Sequence, residues 1–126
     1  MPDCPRDPAI RVLMMPRDTN AHGTIFGGVI LSHIDQAGAV AAIRAGCRKV
    51  VTVTMDAVEF HQPVYVGDLV SYYAEVTRVG RTSITVRVAV SAERREGGDA
   101  VDVTSADVTY VHVNAEGRPI PVPDNL

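Results

Sequence analysis

The stretch that most constrains the fold is His22–Ile43, HGTIFGGVILSHIDQAGAVAAI. It opens as a glycine-rich turn and continues as a segment that is apolar almost all the way round, predicting a helix over 27–45 with Gly46 as its stop. From Ile25 to Ile43 the only formally charged residue is Asp35. At 3.6 residues per turn, Phe26, Ile30, Ile34, Ala37 and Ala41 form one apolar stripe. Asp35 points the opposite way, among Gly28, Leu31, Gly38, Ala39 and Ala42, most of them small. This pattern predicts a buried helix with room for something to approach its one acid. An isolated buried carboxylate is costly, so it needs partners, an altered pKa or a task. A structural Asp bonded to a core hydroxyl would satisfy the same pattern. A membrane span is rejected, because Ser32, His33, Asp35 and Gln36 interrupt the apolar run.

The chain of 126 residues suits one domain, 1–126, with extended tails at 1–8 and 115–126. A net charge of -3 with interspersed signs excludes the basic footprint of a nucleic-acid partner. The N-terminal residues lack the apolar core of a signal peptide. Cys4 and Cys47 are isolated, and histidines 22, 33, 61 and 112 show no ligating spacing. A reduced, cytoplasmic protein without a metal is expected.

Ala9–Met15 reads as a first strand ended by Pro16. After the helix the period changes from 3.6 to 2. Val51, Val53 and Met55 alternate, then Val58 and Phe60 continue on the other phase, which predicts a bulge near Asp56–Ala57. Val70, Tyr72, Ala74 and Val76 mark the next strand, Gly80–Thr82 a turn, and Ile84, Val86, Val88, Val90 and Ala92 the clearest strand of all. Glu96–Asp99 reads as a hairpin connection, and Val101–Val113 as a last strand with a phase switch near Thr104–Ser105. The order β-α-β-β-β-β gives an α+β chain whose antiparallel sheet of five to six strands wraps one central helix. Such a sheet leaves an open edge, so a symmetric partner continuing it is expected.

Five blocks in register carry a family resemblance. They are Met15–Gly28 (MPRDTNAHGTIFGG), Ile34–Gly38 (IDQAG), Val50–Val53 (VVTV), Phe60–Val64 (FHQPV) with Val66–Asp68 (VGD), and Val79–Ile84 (VGRTSI). Over roughly residues 10–115 the chain resembles a hotdog-fold acyl-CoA thioesterase of the YciA-like and brain acyl-CoA hydrolase-like family. The resemblance implies hydrolysis of acyl-CoA thioesters, with coenzyme A part of the substrate and no separate cofactor. It also implies a dimer with a shared sheet, commonly in a trimer of dimers. The helix acid, Asp35, maps onto the catalytic carboxylate, and Asn20 onto a second implicated polar residue. Gly80, Arg81, Thr82 and Ser83 map onto the loop that contacts coenzyme A, and His22 and Phe26 lie where substrate is contacted. Sites of this kind lie at the dimer interface, so Asp35 and Asn20 of one site can come from different subunits. The chain departs from the family at Val29, where Trp often stands, at His22, where a small or amide side chain is common, and at His61, where an apolar residue is usual.

In the chemistry expected, Asp35 removes a proton from water or attacks the thioester carbonyl itself. Unblocked amides at Gly27 and Gly28, at a helix N-terminus, would face the developing oxyanion. Asn20 would orient water or bond the carbonyl, or simply make a turn. Arg81 would pair with a coenzyme A phosphate or lie in solvent. Two alternatives remain: a hotdog hydratase or dehydratase using His22 or His61 with an acid, and a non-catalytic acyl-CoA-binding module.

Overall fold

The computed structural model describes residues 7–123. Strand β1 (Ile10–Leu13) leads through a 3-10 turn at Pro16–Asp18 into helix α1 (Gly27–Arg44), and four long strands follow. They are β2 (Val50–Phe60), β3 (Leu69–Val79), β4 (Ser83–Glu93) and β5 (Val101–His112). All pair antiparallel in one five-stranded sheet of order β1-β3-β4-β5-β2. The α+β expectation of a sheet bearing one long helix holds, at five strands. β1 is shorter than the expected 9–15. Pro16 cannot extend a ladder, and the chain turns away at Met15, whose N–H bonds the Asp18 carboxylate at 3.0 Å.

The core lies between α1 and the central strands. Ile84, Val86, Val88, Val90 and Ala92 of β4 are all buried, as their strict alternation requires, and meet Ile30, Ile34, Ala37 and Ala42 of the helix. Phe26 does not join this stripe: it is the residue before the helix, in extended conformation, and its ring is 57% exposed. The helix is therefore half covered within one chain, and Asp35 is half-buried rather than enclosed.

The predicted phase shifts are bulges. The β2–β5 register slips between Asp56 and Glu59, where Ala57 takes φ 53°, a left-handed conformation that side chains resist. A second slip lies between Thr52 and Thr54. On β5 the switch falls at Val103, one residue before the expected Thr104–Ser105, because Val90 pairs with Thr104 while Ser91 pairs with Asp102. Val51 and Val53, the alternating apolar pair of β2, are exposed on this edge strand.

The C-terminal segment is not simply extended. The Asn114 side chain accepts the N–H groups of Glu116 and Arg118 to form a turn through Gly117, whose φ is 83°. The chain then returns along the sheet end, with Ile120 N–H on the His112 carbonyl and Val122 N–H on the Arg81 carbonyl, and Val122 is buried. His112 ties this return to the start of β2. Its Nε2 accepts the Arg48 N–H at 3.2 Å, so Nδ1 carries the hydrogen and donates to the Pro121 carbonyl at 3.0 Å.

Candidate active site

Two rows of side chains cross the sheet beneath α1. Thr52, Tyr110 and Ile84 are register neighbours on β2, β5 and β4, and Phe60, Thr104 and Val90 form a second row on the same strands. Each row meets a different part of the helix.

At the first row the Thr52 hydroxyl donates to Oδ1 of Asp35 at 2.7 Å. The Tyr110 hydroxyl donates to the Asp35 main-chain carbonyl at 2.6 Å. Burial, then the charge of Asp35 and the hydrogen bond to it, push the Tyr110 phenol well above its ordinary range, so it remains a neutral donor. Gly38 makes this approach possible, since a Cβ there would sit 2.2 Å from the Tyr110 oxygen. Asp35 is thus held from two sides, by side chain and backbone, and still reaches solvent. Nothing in the sequence singles out Thr52 or Tyr110. Their common face follows only from strand register, and the bulges scramble that parity along β2.

The second row lies beneath the helix N-terminus. A cleft of about 360 Å³ is lined by Gly27 and Ile30 of α1, by Phe60–Val64, by Thr24 and Ile25, and by Thr104. No side chain caps α1 and its first turn holds no acid, so the positive end of an 18-residue helix opens here at Gly27, while Gly28 lies against the Phe26 ring, 2.7 Å from where its Cβ would stand. A Cβ on Gly27 would only touch the Phe60 ring, at 3.5 Å. The cleft's outer wall is clasped from below. Asp68, buried, accepts from Arg94 at 2.5 Å and from the Tyr65 N–H at 2.9 Å, while Arg94 also donates to the Pro63 carbonyl at 3.0 Å.

Asn20 makes a turn. Its Oδ1 accepts the N–H groups of His22 and Thr24, and its amide donates to the Thr24 hydroxyl at 3.0 Å, so it shapes the loop that carries Thr24 to the cleft. His22 is exposed on that loop, and Phe26 projects at the helix start. His61 is exposed and its ring lies 3.5 Å from Glu59, which gives it a surface partner rather than a catalytic acid.

Gly80, Arg81, Thr82 and Ser83 form the β3–β4 turn. Gly80 N–H bonds the Ser83 carbonyl, Thr82 accepts from His112 N–H, and Arg81 points to solvent. Ser83 pairs with Val111, so this turn adjoins the Asp35 row and lies away from the helix N-terminus. Asp35 is eight residues beyond Gly27, about 12 Å along the axis at 1.5 Å per residue. One chain therefore brings Asp35, Thr52 and Tyr110 together at one end, and Gly27, Gly28 and the cleft at the other. It does not unite the two halves.

The model of the thioesterase superfamily matches residues 22–98, which span α1, the cleft wall and strands β2 to β4. The chain belongs to the thioesterase superfamily. Among its relatives in this superfamily is an uncharacterized acyl-CoA thioester hydrolase of Zymomonas mobilis, 41% identical over 117 residues, covering 93% of this chain and 78% of that protein. The acyl-CoA thioester hydrolase YciA of Escherichia coli is 38% identical over 120 residues, covering 93% and 91%. A hexameric hotdog-fold thioesterase of Campylobacter jejuni superposes with a TM-score of 0.90 at 47% identity, covering 94% of this chain and 92% of that one. The superfamily's hotdog fold is thus the fold of this chain. No helix among the described residues is long and apolar enough to cross a membrane.

Proposed function

We propose that this superfamily member is an acyl-CoA thioester hydrolase whose Asp35 activates water against the thioester carbonyl. The observation that carries the assignment of roles is the pairing of a half-exposed carboxylate, fixed by Thr52 and Tyr110, with an uncapped glycine helix start opening on an apolar cleft. The relatives named above, acyl-CoA thioester hydrolases by description and hexameric in the Campylobacter structure, support the same substrate class and a homo-oligomer.

The carbonyl oxygen sits at the Gly27 and Gly28 amides, which stabilise the charge that develops as water adds. Asp35 takes the water's proton, the tetrahedral intermediate collapses, and the coenzyme A thiolate leaves. Thr52 holds the carboxylate in register, and no base other than Asp35 is required, because a thioester is already activated toward water. The turn Gly80–Ser83 receives the coenzyme A portion, with Arg81 free to meet a phosphate.

Because Asp35 and Gly27 lie about 12 Å apart on one helix, the working site is composite. The exposed edge strand β2 pairs with its symmetry copy, continuing the sheet, and an antiparallel pairing sets the Asp35 end of one protomer against the cleft end of the other. Val51, Val53, Phe60 and Phe26, exposed in the single chain, become interface. Three such dimers form the hexamer.

Thiol release from a panel of acyl-CoAs, with wild type and Asp35→Ala side by side, tests the proposal. Turnover by wild type alone, with both proteins sedimenting alike, supports it. Equal turnover by both would remove Asp35 from the mechanism, and no turnover of any chain length would reject hydrolysis.

A further inference from the structure

Thr104 stands six residues before Tyr110 on β5, and a strand alternates faces with period two, so the two side chains leave the sheet on the same side. The Tyr110 hydroxyl reaches α1 at Asp35, so that side faces the helix, and Thr104 faces its first turn and lines the cleft with Gly27 and Ile30. Thr104 is 2% exposed, and among the described residues its hydroxyl is the one buried side-chain polar atom without a hydrogen-bond partner. Valine has the same shape and equal taste for a strand, and would carry no unpaired hydroxyl. Ile25, Ile30, Phe60, Pro63 and Val64 make most of the remaining lining apolar, and Thr24, His61 and Gln62 are its other polar side chains. An unsatisfied hydroxyl at such a place is explained by a partner that arrives with the ligand.

We propose that Thr104 is a specificity-determining residue of the acyl cleft, its hydroxyl hydrogen-bonding an oxygen substituent on the acyl chain. The inference rests on the acyl-CoA thioesterase assignment above. With the carbonyl at the Gly27 amide on the cleft wall, the next few carbons of the chain run into the same cleft past Thr104. A hydroxyl there donates to Oγ1, and an oxo group accepts from it. Acyl groups bearing a hydroxy or oxo oxygen near the carbonyl are favoured over alkyl groups of equal length, which leave Thr104 unpaired. Thr104 makes and breaks no covalent bond.

Titration calorimetry with two stable ketone analogues tests this, in which a methylene replaces the thioester sulfur of butanoyl-CoA and of 3-hydroxybutanoyl-CoA. Wild type binds the hydroxylated analogue about tenfold more tightly, the worth of one buried hydrogen bond. Thr104→Val loses that preference, and Thr104→Ser, which keeps the hydroxyl, retains it. Equal affinities in wild type would overturn the proposal and assign the hydroxyl to a trapped water. A preference surviving in Thr104→Val, or no binding of either analogue, would overturn it as well. The wild-type ratio decides even if a variant fails to fold. Thiol release from butanoyl-CoA by the same preparation reports separately on hydrolysis: binding with discrimination but without turnover would sink the catalytic assignment and leave Thr104's role standing.

Discussion

The Thr52 hydroxyl points its hydrogen at Oδ1 of Asp35 across 2.7 Å, from a strand that otherwise touches α1 sparsely. A hydrogen bond to a charged group contributes about 1.5–3 kcal/mol, here invested in the direction of one carboxylate lone pair. Thr52→Val keeps the β-branched shape and removes the donor. It is expected to lower kcat by roughly 10–100-fold while leaving KM near its wild-type value, because orientation of the base matters in the transition state and little in binding. Thr52→Ser should recover most of the loss. Steady-state kinetics on one acyl-CoA is sufficient, and an unchanged kcat in Thr52→Val would leave the hydroxyl with a packing role alone.

Gly38 and Tyr110 form a second coupled pair. A methyl at Gly38 would lie 2.2 Å from the tyrosine oxygen, and the ring is buried and has nowhere to retreat. Gly38→Ala should destabilise the protein by about 1–3 kcal/mol, as overpacking does, despite alanine's better helix propensity. Tyr110→Phe removes the hydroxyl and its bond to the Asp35 carbonyl, at a cost of about 1 kcal/mol. In the double variant the collision with the hydroxyl oxygen is gone and only the close ring contacts, Cζ at 2.9 Å and Cε1 at 3.0 Å, remain, so the two losses should fall short of additive in a urea-unfolding cycle. Full additivity would show that Gly38 is not there to admit the hydroxyl.

Much of this was legible in the sequence. The helix limits, the four long strands, the bulge at Asp56–Ala57 and the exposed edge all follow from period and from glycine and proline punctuation. Phe26 falls out of the apolar stripe because it precedes the helix, in extended conformation, where the wheel's angular spacing no longer applies. The sequence predicts a buried helix with room beside Asp35, and a single chain covers only the inner face of α1, which leaves that acid half-buried. Its hydroxyl partner was invisible, because Thr52 is 17 positions away in the chain and only register brings it near. Thr104 faces the helix by parity with Val108 and Tyr110, but that its hydroxyl lacks a partner depends on neighbours only the fold brings together.

The core carries groups that must stay neutral. Tyr110 and Tyr72 are buried, and desolvation holds both phenols above their ordinary 10.0, with Asp35 adding to the first and Asp18 to the second. Burial likewise raises the Cys47 thiol above 9.0. For each group the folded pKa exceeds the unfolded one. Its contribution is therefore complete below the unfolded value and is lost as pH rises toward the folded value. Stability should be flat in this respect through neutral pH and fall steadily from about pH 9 upward. Tyr110→Phe should flatten part of that fall. Urea midpoints between pH 7 and 11 test it, and a midpoint insensitive to pH above 9 would contradict the burial of these groups.

Gly27 allows the proposed composite site to be tested with its own chemistry. It is the first residue of α1, where proline is tolerated, and Phe26 before it is extended at ψ 131°, the conformation a following proline demands. Gly27→Pro should fold, keep its oligomer and lose one amide donor, lowering kcat by about 10²–10³. Asp35→Ala should be inactive for a different reason. In dimers that combine one subunit of each variant, a site built across the interface pairs the intact Asp35 of the Gly27→Pro chain with the intact Gly27 of the Asp35→Ala chain. Random reassociation makes half the dimers mixed and restores one of their two sites, so roughly a quarter of wild-type activity should return on unfolding and refolding the two together. Sites contained within single chains would return none. The experiment thereby separates a shared active site from a flexible one that closes on itself, and recovery near a quarter would make subunit pairing a requirement of catalysis rather than of stability alone.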